Sequence, residues 1–409
     1  MLIAGEASGD LLAAELVRAL REECASTVAV STTDYQPLHA SLEPGFFGVG
    51  GPRMAVAGVE LALDLTAHSV IGFSEALRHC VKFWRLLRQV CQLAIEREPD
   101  AIICVDFGFF NGLFAREISR YFRSRQDWFH DWAPKLIRYV SPQVWASRED
   151  RAYKLARDYD LLLSTFAFEK EWYAKRVPKL RVEFVGNPVM ERYAGLLAGR
   201  TAPSANRPKD TPAAGARVVL LPGSRRGELR RHIPVLMEAA SRIAAERPAQ
   251  FSMVLPSEPL AEYARSFGNH CETVKVQVGQ LEEALAGADL AITKSGTITL
   301  ECACFGVPAV VLYKTSAANY LVARWLATVK HLAMPNLLAE EEIYPEFVQG
   351  NATPKKIARA ALELLGDETR RQRVKARLAE VVGTLGGPGA SRRAARAIVR
   401  LLEPTANLR

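Results

Sequence analysis

The chain has no apolar run approaching the roughly 20 residues that a membrane-spanning helix requires, which excludes a helical integral membrane protein. Glu6 and Asp10 follow the first residues too closely for a secretory leader, so a cytosolic, soluble or peripheral protein is expected. There is no Cys-x-x-Cys pair. The seven cysteines, Cys24, Cys80, Cys91, Cys104, Cys271, Cys302 and Cys304, are odd in number, and Cys302 and Cys304 would point in different directions on a helix. Reduced, mostly buried thiols and no zinc site are therefore expected. Signatures of nucleic-acid binding are also missing: the basic residues are dispersed, with no RNP-like or helix-turn-helix pattern.

What is present is ordinary for a globular protein, with 49% hydrophobic and 24% charged residues. At 409 residues the chain exceeds what one core usually holds, which predicts two domains. A net charge of +8 favours an anionic partner.

The most informative stretch is Val218-Val-Leu-Leu-Pro-Gly-Ser-Arg-Arg-Gly-Glu228. Its apolar run is short and β-branched and reads as a buried strand, and Gly223 permits a close backbone approach. Apolar residues from Val235 to Ala244 then fall on helical spacing, with Pro234 placed in the first turn. The unpaired N–H groups of that helix, its dipole, Ser224 and Arg225 can converge on an anion. The loop lacks the GxGxxG and GxxxxGK[ST] spacings, so an ordinary strand-to-helix turn with a solvated Arg pair stands beside the diphosphate reading.

The same grammar recurs along the chain. Met1 to Ala4 reads as a clipped strand, Gly5-Glu-Ala-Ser-Gly-Asp10 as a small-residue turn, and Leu11 to about Arg21 as a helix. Glu6 and Asp10 are either caps or ligands of substrate hydroxyls, and Glu6 stands at the strand's carboxyl end. Phe46 to Met54 repeats a strand running into glycines and an Arg. Ala101 to Val105 is a buried strand ending at Asp106, with Phe107 to Asn111 leading into a helix. A carboxylate at that place is either a helix cap or a base. Lys135 to Val140 gives another strand, followed by Ser141 to Arg148. Asp158-Tyr-Asp160 resembles a metal-holding DxD but precedes its strand, and so reads as punctuation between helix and strand.

In the second half, Ser252 to Leu255, Thr273 to Val278, Leu290 to Thr293 and Ala309 to Tyr313 alternate with helical segments, a second parallel α/β unit. In Lys294-Ser-Gly-Thr-Ile-Thr-Leu-Glu301, Ser295, Gly296 and Thr297 suit phosphate oxygens, and Glu301, one to two turns into the helix, can accept from ribose hydroxyls. The alternative is a capped helix with a surface Glu. Between Ser69 and about Glu96 an amphipathic helix is expected. Val70, Ile71, Phe73, Leu77, Val81, Trp84 and Leu86 or Leu87 supply its apolar side, and Arg78, Lys82, Arg85 and Arg88 its basic side. It lies either on its own sheet or on an anionic bilayer. Leu385 to Gly389 breaks the chain before a last basic helix, Ala390 to about Leu402, which could pack on the first domain or on a second subunit.

Taken together, Ala4-Gly-Glu-Ala-Ser-Gly-Asp10, Gly50-Gly-Pro-Arg-Met54, Tyr139-Val-Ser-Pro-Gln-Val-Trp145, Leu221-Pro-Gly-Ser-Arg225, Ser295-Gly-Thr297 with Glu301, and Pro335-Asn-Leu-Leu-Ala339 resemble the lipid-A-disaccharide synthases. These are inverting glycosyltransferases of the GT-B type. The resemblance runs nearly end to end. It implies two Rossmann-like doubly wound parallel-sheet domains facing a cleft, with a C-terminal helix crossing over. The expected divisions are 1–198 on the acceptor and lipid side, a linker at 199–215, a UDP-donor domain at 216–385 and the crossover helix at 386–409.

The resemblance also implies transfer of 2,3-diacylglucosamine from UDP to the 6-hydroxyl of 2,3-diacylglucosamine 1-phosphate, in lipid A biosynthesis, without cofactor or metal. Asp106 and Glu6 match the family's acidic residues, Arg225 its diphosphate-side arginine and Asn336 its donor-pocket asparagine. Substrate contacts are further expected from Gly5, Ser8, Gly9, Asp10, Asn111, Ser141, Trp145, Gly223, Ser224, Ser295, Gly296, Thr297 and Glu301. With acylated substrates, the surface formed by Val70, Ile71, Phe73, Leu77 and Trp84 becomes the expected docking face on an anionic membrane, at the inner face of the inner membrane. A homodimer through the C-terminal region is a further expectation. The chain departs from the family at Gly108 and Phe109, where a proline and a second acid are common, and at Ser147, where a tryptophan is usual. The rival readings are another GT-B UDP-sugar enzyme of cell-envelope synthesis and a basic nucleic-acid-binding protein.

Overall fold

The structure, a computed structural model, describes residues 1–30, 44–65, 80–125, 131–195, 215–267, 274–326 and 328–403. The chain divides into two compact units, Met1–Glu191 with Leu385–Arg409, and Arg192–Thr384. Of the expected linker, 199–214 lies outside the described residues.

The first unit runs β1 (Leu2–Ala4), α1 (Ala7–Val30), β2 (Phe47–Gly50), α2 (Pro52–Val56), β3 (Glu60–Asp64), α3 (Cys80–Arg97), β4 (Ala101–Val105), α4 (Gly108–Arg125), β5 (Lys135–Tyr139), α5 (Arg151–Asp158), β6 (Leu161–Ser164), α6 (Ala167–Arg176) and β7 (Arg181–Phe184), with α7 (Pro188–Arg192) at the boundary. Its seven-stranded sheet has the order β3-β2-β1-β4-β5-β6-β7, and every pairing is parallel. Strands buried on both faces carry continuous apolar runs, as in Ala101 to Val105 and Leu161 to Leu163. Alternation sends Ile3, Ile102, Cys104, Leu136 and Leu162 to one face and Leu2, Ala4, Ile103, Val105, Ile137, Leu161 and Leu163 to the other.

Helix α1 begins four residues before the expected Leu11, at Ala7, because the Asp10 N–H already bonds to Glu6 O at 2.9 Å. Ser8 and Gly9 thus belong to its first turn. Val70, Ile71, Phe73 and Leu77 lie outside the described residues. Within α3 the expected single apolar side divides: Phe83, Leu87, Val90 and Ala94 enter the core at helical spacing, while Val81 and Trp84 point outward.

The second unit runs β8 (Ala216–Leu221), α8 (Arg226–Glu246), β9 (Ala249–Leu255), α9 (Glu258–Arg265), β10 (Val274–Val278), α10 (Leu281–Ala286), β11 (Leu290–Lys294), α11 (Ile298–Cys304), β12 (Ala309–Tyr313), α12 (Ala317–Leu326), α13 (Met334–Ala339), β13 (Glu346–Val348), α14 (Pro354–Gly366) and α15 (Glu368–Gly383). The six-stranded sheet has the order β10-β9-β8-β11-β12-β13, again parallel. Pro234 lies inside α8, beyond the first turn where it was expected, because the helix starts directly after Arg225.

The last helix, α16 (Ala390–Leu402), returns to the first unit. Ala394, Ala395, Ala397 and Ile398 join the core face of Leu16 and Val17. The return is fixed by Asn187 N–H on Leu385 O at 2.8 Å and by Arg393 Nε on Val185 O at 2.7 Å.

In each sheet the chain first builds outward on one side and then jumps to the other. The reversals fall between β1 and β4 and between β8 and β11. Ligands of doubly wound sheets collect beyond the carboxyl ends of the strands at such a reversal.

Candidate active site

In the first unit Ala4 pairs with Val105, so Gly5-Glu6 and Asp106 leave the sheet side by side. Asp106 and Phe107 both take left-handed backbone, with φ of +46° and +47°. Each costs on the order of 1 kcal/mol for an L residue, although Asp tolerates the region better than most. Neighbouring groups hold the turn. Asp106 N–H donates to Tyr139 O at 2.9 Å, and Asn111 Nδ2 donates to Asp106 O at 2.8 Å and Val105 O at 3.3 Å. Phe107 folds onto Gly5, where a Cβ would lie 2.3 Å from the ring, so glycine is required there. A Cβ on Gly9 would lie 3.7 Å from Asp106 Cβ, which keeps α1 close to the acid. Asp106 and Glu6 are both half-buried, and Ser8 is exposed.

Two expected ligands have internal tasks. Asp10, 2% exposed, accepts from the N–H groups of Gly51, Arg53 and Met54 at 2.8, 3.0 and 3.1 Å, which caps α2 and ties the first turn of α1 to the segment that follows β2. Asn111 is fully buried and spends its amide on the Asp106 turn, while its Oδ1 has no hydrogen-bond partner.

Beyond β5, Val140 is left-handed at φ +66°, an outlier for a β-branched residue. Ser141 is buried, with its hydroxyl 3.2 Å from Tyr173 OH, and Trp145 Nε1 donates to Glu169 Oε1 at 3.0 Å. No motif in the sequence singles out Glu169. Its one signal there is the spacing that puts it on a shared helix face with Tyr173, four residues on; in the structure both are fully buried.

In the second unit Pro222 and Gly223 leave β8 beside Lys294, the last residue of β11. Gly223 has φ +125°, a conformation closed to side chains. Ser224 and Arg225 are exposed, and Arg225, at the N-cap of α8, gives the helix no side-chain cap. Glu228 fills part of that role from inside the helix: its Oε2 accepts from Ser224 N–H at 3.0 Å and its Oε1 lies 3.4 Å from Lys294 Nζ. The turn thus already holds a carboxylate and a cation.

Fully buried His232 braces it, with Nδ1 2.7 Å from Pro222 O and Nε2 accepting from Lys314 N–H at 3.0 Å. This pairing fits the neutral ring, and burial lowers the imidazole pKa. His232 and Lys294 also went unrecognised as site residues. His232 shows only as a polar residue on the apolar stripe of α8.

Ser295 is more committed than expected. Its N–H donates to Leu312 O at 3.1 Å and its hydroxyl to Leu332 O at 2.7 Å, so no donor remains for phosphate. Gly296 is at φ +137°, and Thr297 is exposed at the N-cap of α11 without a side-chain cap bond. Glu301 falls in the first turn of that helix. It accepts from Tyr193 OH and stands 3.7 Å from Arg192. Burial raises its carboxyl pKa against the pull of both.

Asn336, the expected donor-pocket asparagine, is fully buried and satisfied. Nδ2 donates to Tyr344 O and Glu346 Oε1, and Oδ1 accepts from the N–H groups of Ile343 and Tyr344. Its side-chain amide is thus engaged within the protein and shapes the loop, with Glu346 accepting from Leu332 and Ala333 N–H.

No group of three or more metal-ligating side chains occurs among the described residues. Cys104, Cys302 and Cys304 are buried free thiols, and burial pushes Cys104 up to about 11.

The sequence model of a family described as "Lipid-A-disaccharide synthetase" matches residues 1–398. The chain is similar to the lipid-A-disaccharide synthase of Myxococcus xanthus strain DK1622, at 34% identity over 409 residues, covering 99% of this chain and 97% of that protein. The enzyme of the same name from Geobacter sulfurreducens is 35% identical over 409 residues, covering 98% and 97%. Among solved structures, the S. aureus MnaA–UDP co-structure aligns with a TM-score of 0.58 at 16% identity, covering 98% of this chain and 96% of that one. CalG4, the calicheamicin glycosyltransferase, aligns with a TM-score of 0.57 at 16% identity, covering 99% and 97%. At these identities the two structures speak to the fold, which is of the GT-B class.

Proposed function

The chain belongs to the lipid-A-disaccharide synthase family, and from that premise we propose that it joins UDP-2,3-diacylglucosamine to 2,3-diacylglucosamine 1-phosphate, releasing UDP and the β-1,6-linked disaccharide 1-phosphate. The observation that carries this reading is the family match along residues 1–398, which takes in both strand reversals.

In this scheme Asp106 takes the proton of the acceptor 6-hydroxyl as the oxygen attacks the anomeric carbon on the face away from UDP. Glu6, at the same reversal, orients the acceptor. Negative charge then grows on the departing diphosphate, where Arg225, Lys294 and the N–H groups opening α8 stabilise it. Those fixed charges supply what a metal would otherwise provide. Glu301, with Oε2 held by Tyr193, offers Oε1 to ribose hydroxyls. Asp10, Asn111 and Asn336 act as framework.

Product analysis with the two acylated substrates should yield the disaccharide and UDP, with the rate unchanged in EDTA. Asp106→Asn keeps a residue that tolerates φ +46° and removes only the base, so the rate should fall by about 10²–10⁴ with the fold intact. Turnover at the wild-type rate would remove Asp106 from the base role, and chelator-sensitive turnover would sink the metal-free scheme.

No helix among the described residues is long and apolar enough to cross a membrane. The outward Val81 and Trp84, 74% and 45% exposed, line a groove of about 760 Å³ with Arg85, Arg88 and Gln89. An apolar strip flanked by cations suits peripheral docking on anionic lipid, where the acylated substrates reside. Sedimentation with anionic vesicles should weaken several-fold on Trp84→Ser, and unchanged binding would free this helix of the role.

A further inference from the structure

We propose that Glu169 is a positioning residue for the reaction: from α6 it holds the Ser141–Arg148 segment, through Trp145, against the end of β5 beside Asp106. The proposal rests on the assignment of Asp106 as the base. A line of contacts carries it. Glu169 Oε1 accepts from Trp145 Nε1 at 3.0 Å, and on the same helix Tyr173 OH reaches Ser141 Oγ at 3.2 Å and Pro142 O at 3.3 Å. These bonds grip the chain directly after Val140, whose left-handed backbone would relax to an extended form if released. One residue earlier, Tyr139 O receives Asp106 N–H at 2.9 Å. The turn that aims Asp106 is therefore built on the strand end that Glu169 secures.

Packing alone does not account for this acid. Glu169 is 0% exposed, and its Oε2 is enclosed without a hydrogen-bond partner. An apolar side chain would fill the same space and remove the unpaired Oε2, but it would take from Trp145 Nε1 the acceptor that holds the loop.

Burial pushes its carboxyl up to about 7, against the opposing pull of Trp145, Ser141 and the backbone at Phe166 and Thr165. The facing groups are Trp145 and Ser141 from the loop, Tyr173 from its own helix, and the Thr165–Phe166 backbone at the end of β6. The buried Arg138 on β5 acts on Tyr173. Ionised, Glu169 grips the Trp145 N–H with a charge-assisted bond; neutral, it grips less. The linkage has a definite sign. The folded value lies above the ordinary 4.5, so the stabilising contribution of this group is full below about 4.5 and is lost as pH rises through about 7.

The test uses the full chain and the variants Glu169→Gln, Glu169→Leu and Trp145→Phe. The kcat of Glu169→Gln, which keeps an acceptor but no charge, should match wild type within about twofold at pH 6. At pH 8.5 it should fall at least fivefold, with the donor KM unchanged and with a higher melting temperature than wild type at pH 8 only. Trp145 emission, taken as wild type minus Trp145→Phe, should titrate near pH 7 in wild type and stay flat in Glu169→Gln. Parallel pH profiles, a uniform loss at every pH, a Glu169→Leu enzyme as active as wild type, or Trp145 emission that does not titrate would each overturn the proposal. Asp106→Asn in the same assay separates the two ideas: full activity there would remove the base assignment, whereas the Glu169 fluorescence result would stand or fall by itself.

Discussion

The two strand reversals reach unusual backbone by opposite means. At β8 and β11 the left-handed positions are glycines, Gly223 at φ +125° and Gly296 at +137°, and the side chains around them are Arg225, Lys294 and Glu228. At β1 and β4 the left-handed positions are Asp106, Phe107 and, one strand over, Val140, each between +46° and +66°. Glycine turns bring backbone N–H groups close to a ligand, which suits a polyanion. Side-chain-bearing turns instead aim one group at one place and must be held there by their surroundings, which suits a base. On the proposed assignment, the difference separates binding by backbone from chemistry by side chain.

The comparison breaks most severely at Gly223→Ala. Alanine cannot reach φ +125°, and its Cβ would stand 2.3 Å from Glu228 Oε2, so both the turn and the carboxylate that braces Ser224 must move. Strain of this kind costs on the order of 2–3 kcal/mol, and UDP affinity should drop by more than tenfold in calorimetry while the Asp106 turn keeps its structure. A variant that binds UDP like wild type would show that the glycine turn is not the diphosphate cradle.

The fold and the strand ends that carry the candidate site were legible because both depend on short-range patterns. Apolar strand runs ending in Gly, Ser, Asp or Arg marked the strands and their carboxyl ends, and alternation with helical segments gave two parallel units. What the sequence hid was the use of each polar side chain. Asp10, Asn111, Ser295 and Asn336 stand in motifs, yet their hydrogen bonds close on the protein's own backbone, and that depends on which loops meet in space. Glu169, His232 and Glu346 went unnoticed for the same reason. A polar residue on an apolar stripe shows only that it has a partner, and the partners of these residues come from other elements: Trp145 for Glu169, Lys314 for His232, and Leu332 for Glu346.

The smallest expected effect sharpens the comparison most. Val140→Gly places in the first unit the residue type that the second unit uses. Relief of left-handed backbone returns about 1–2 kcal/mol. Against this stand about 0.5–1 kcal/mol for the greater freedom of unfolded glycine and about 1 kcal/mol for lost apolar area, since Val140 is only partly buried. The sum predicts stability within about 1 kcal/mol of wild type in urea unfolding. The rate should respond more than the stability: with glycine at 140 the segment carrying Ser141 and Trp145 gains conformations, and kcat should fall a few-fold at unchanged donor KM. A loss of stability above about 3 kcal/mol would mean that the valine side chain holds this turn. Unchanged kcat would mean that the strain at Val140 has no part in aiming Asp106.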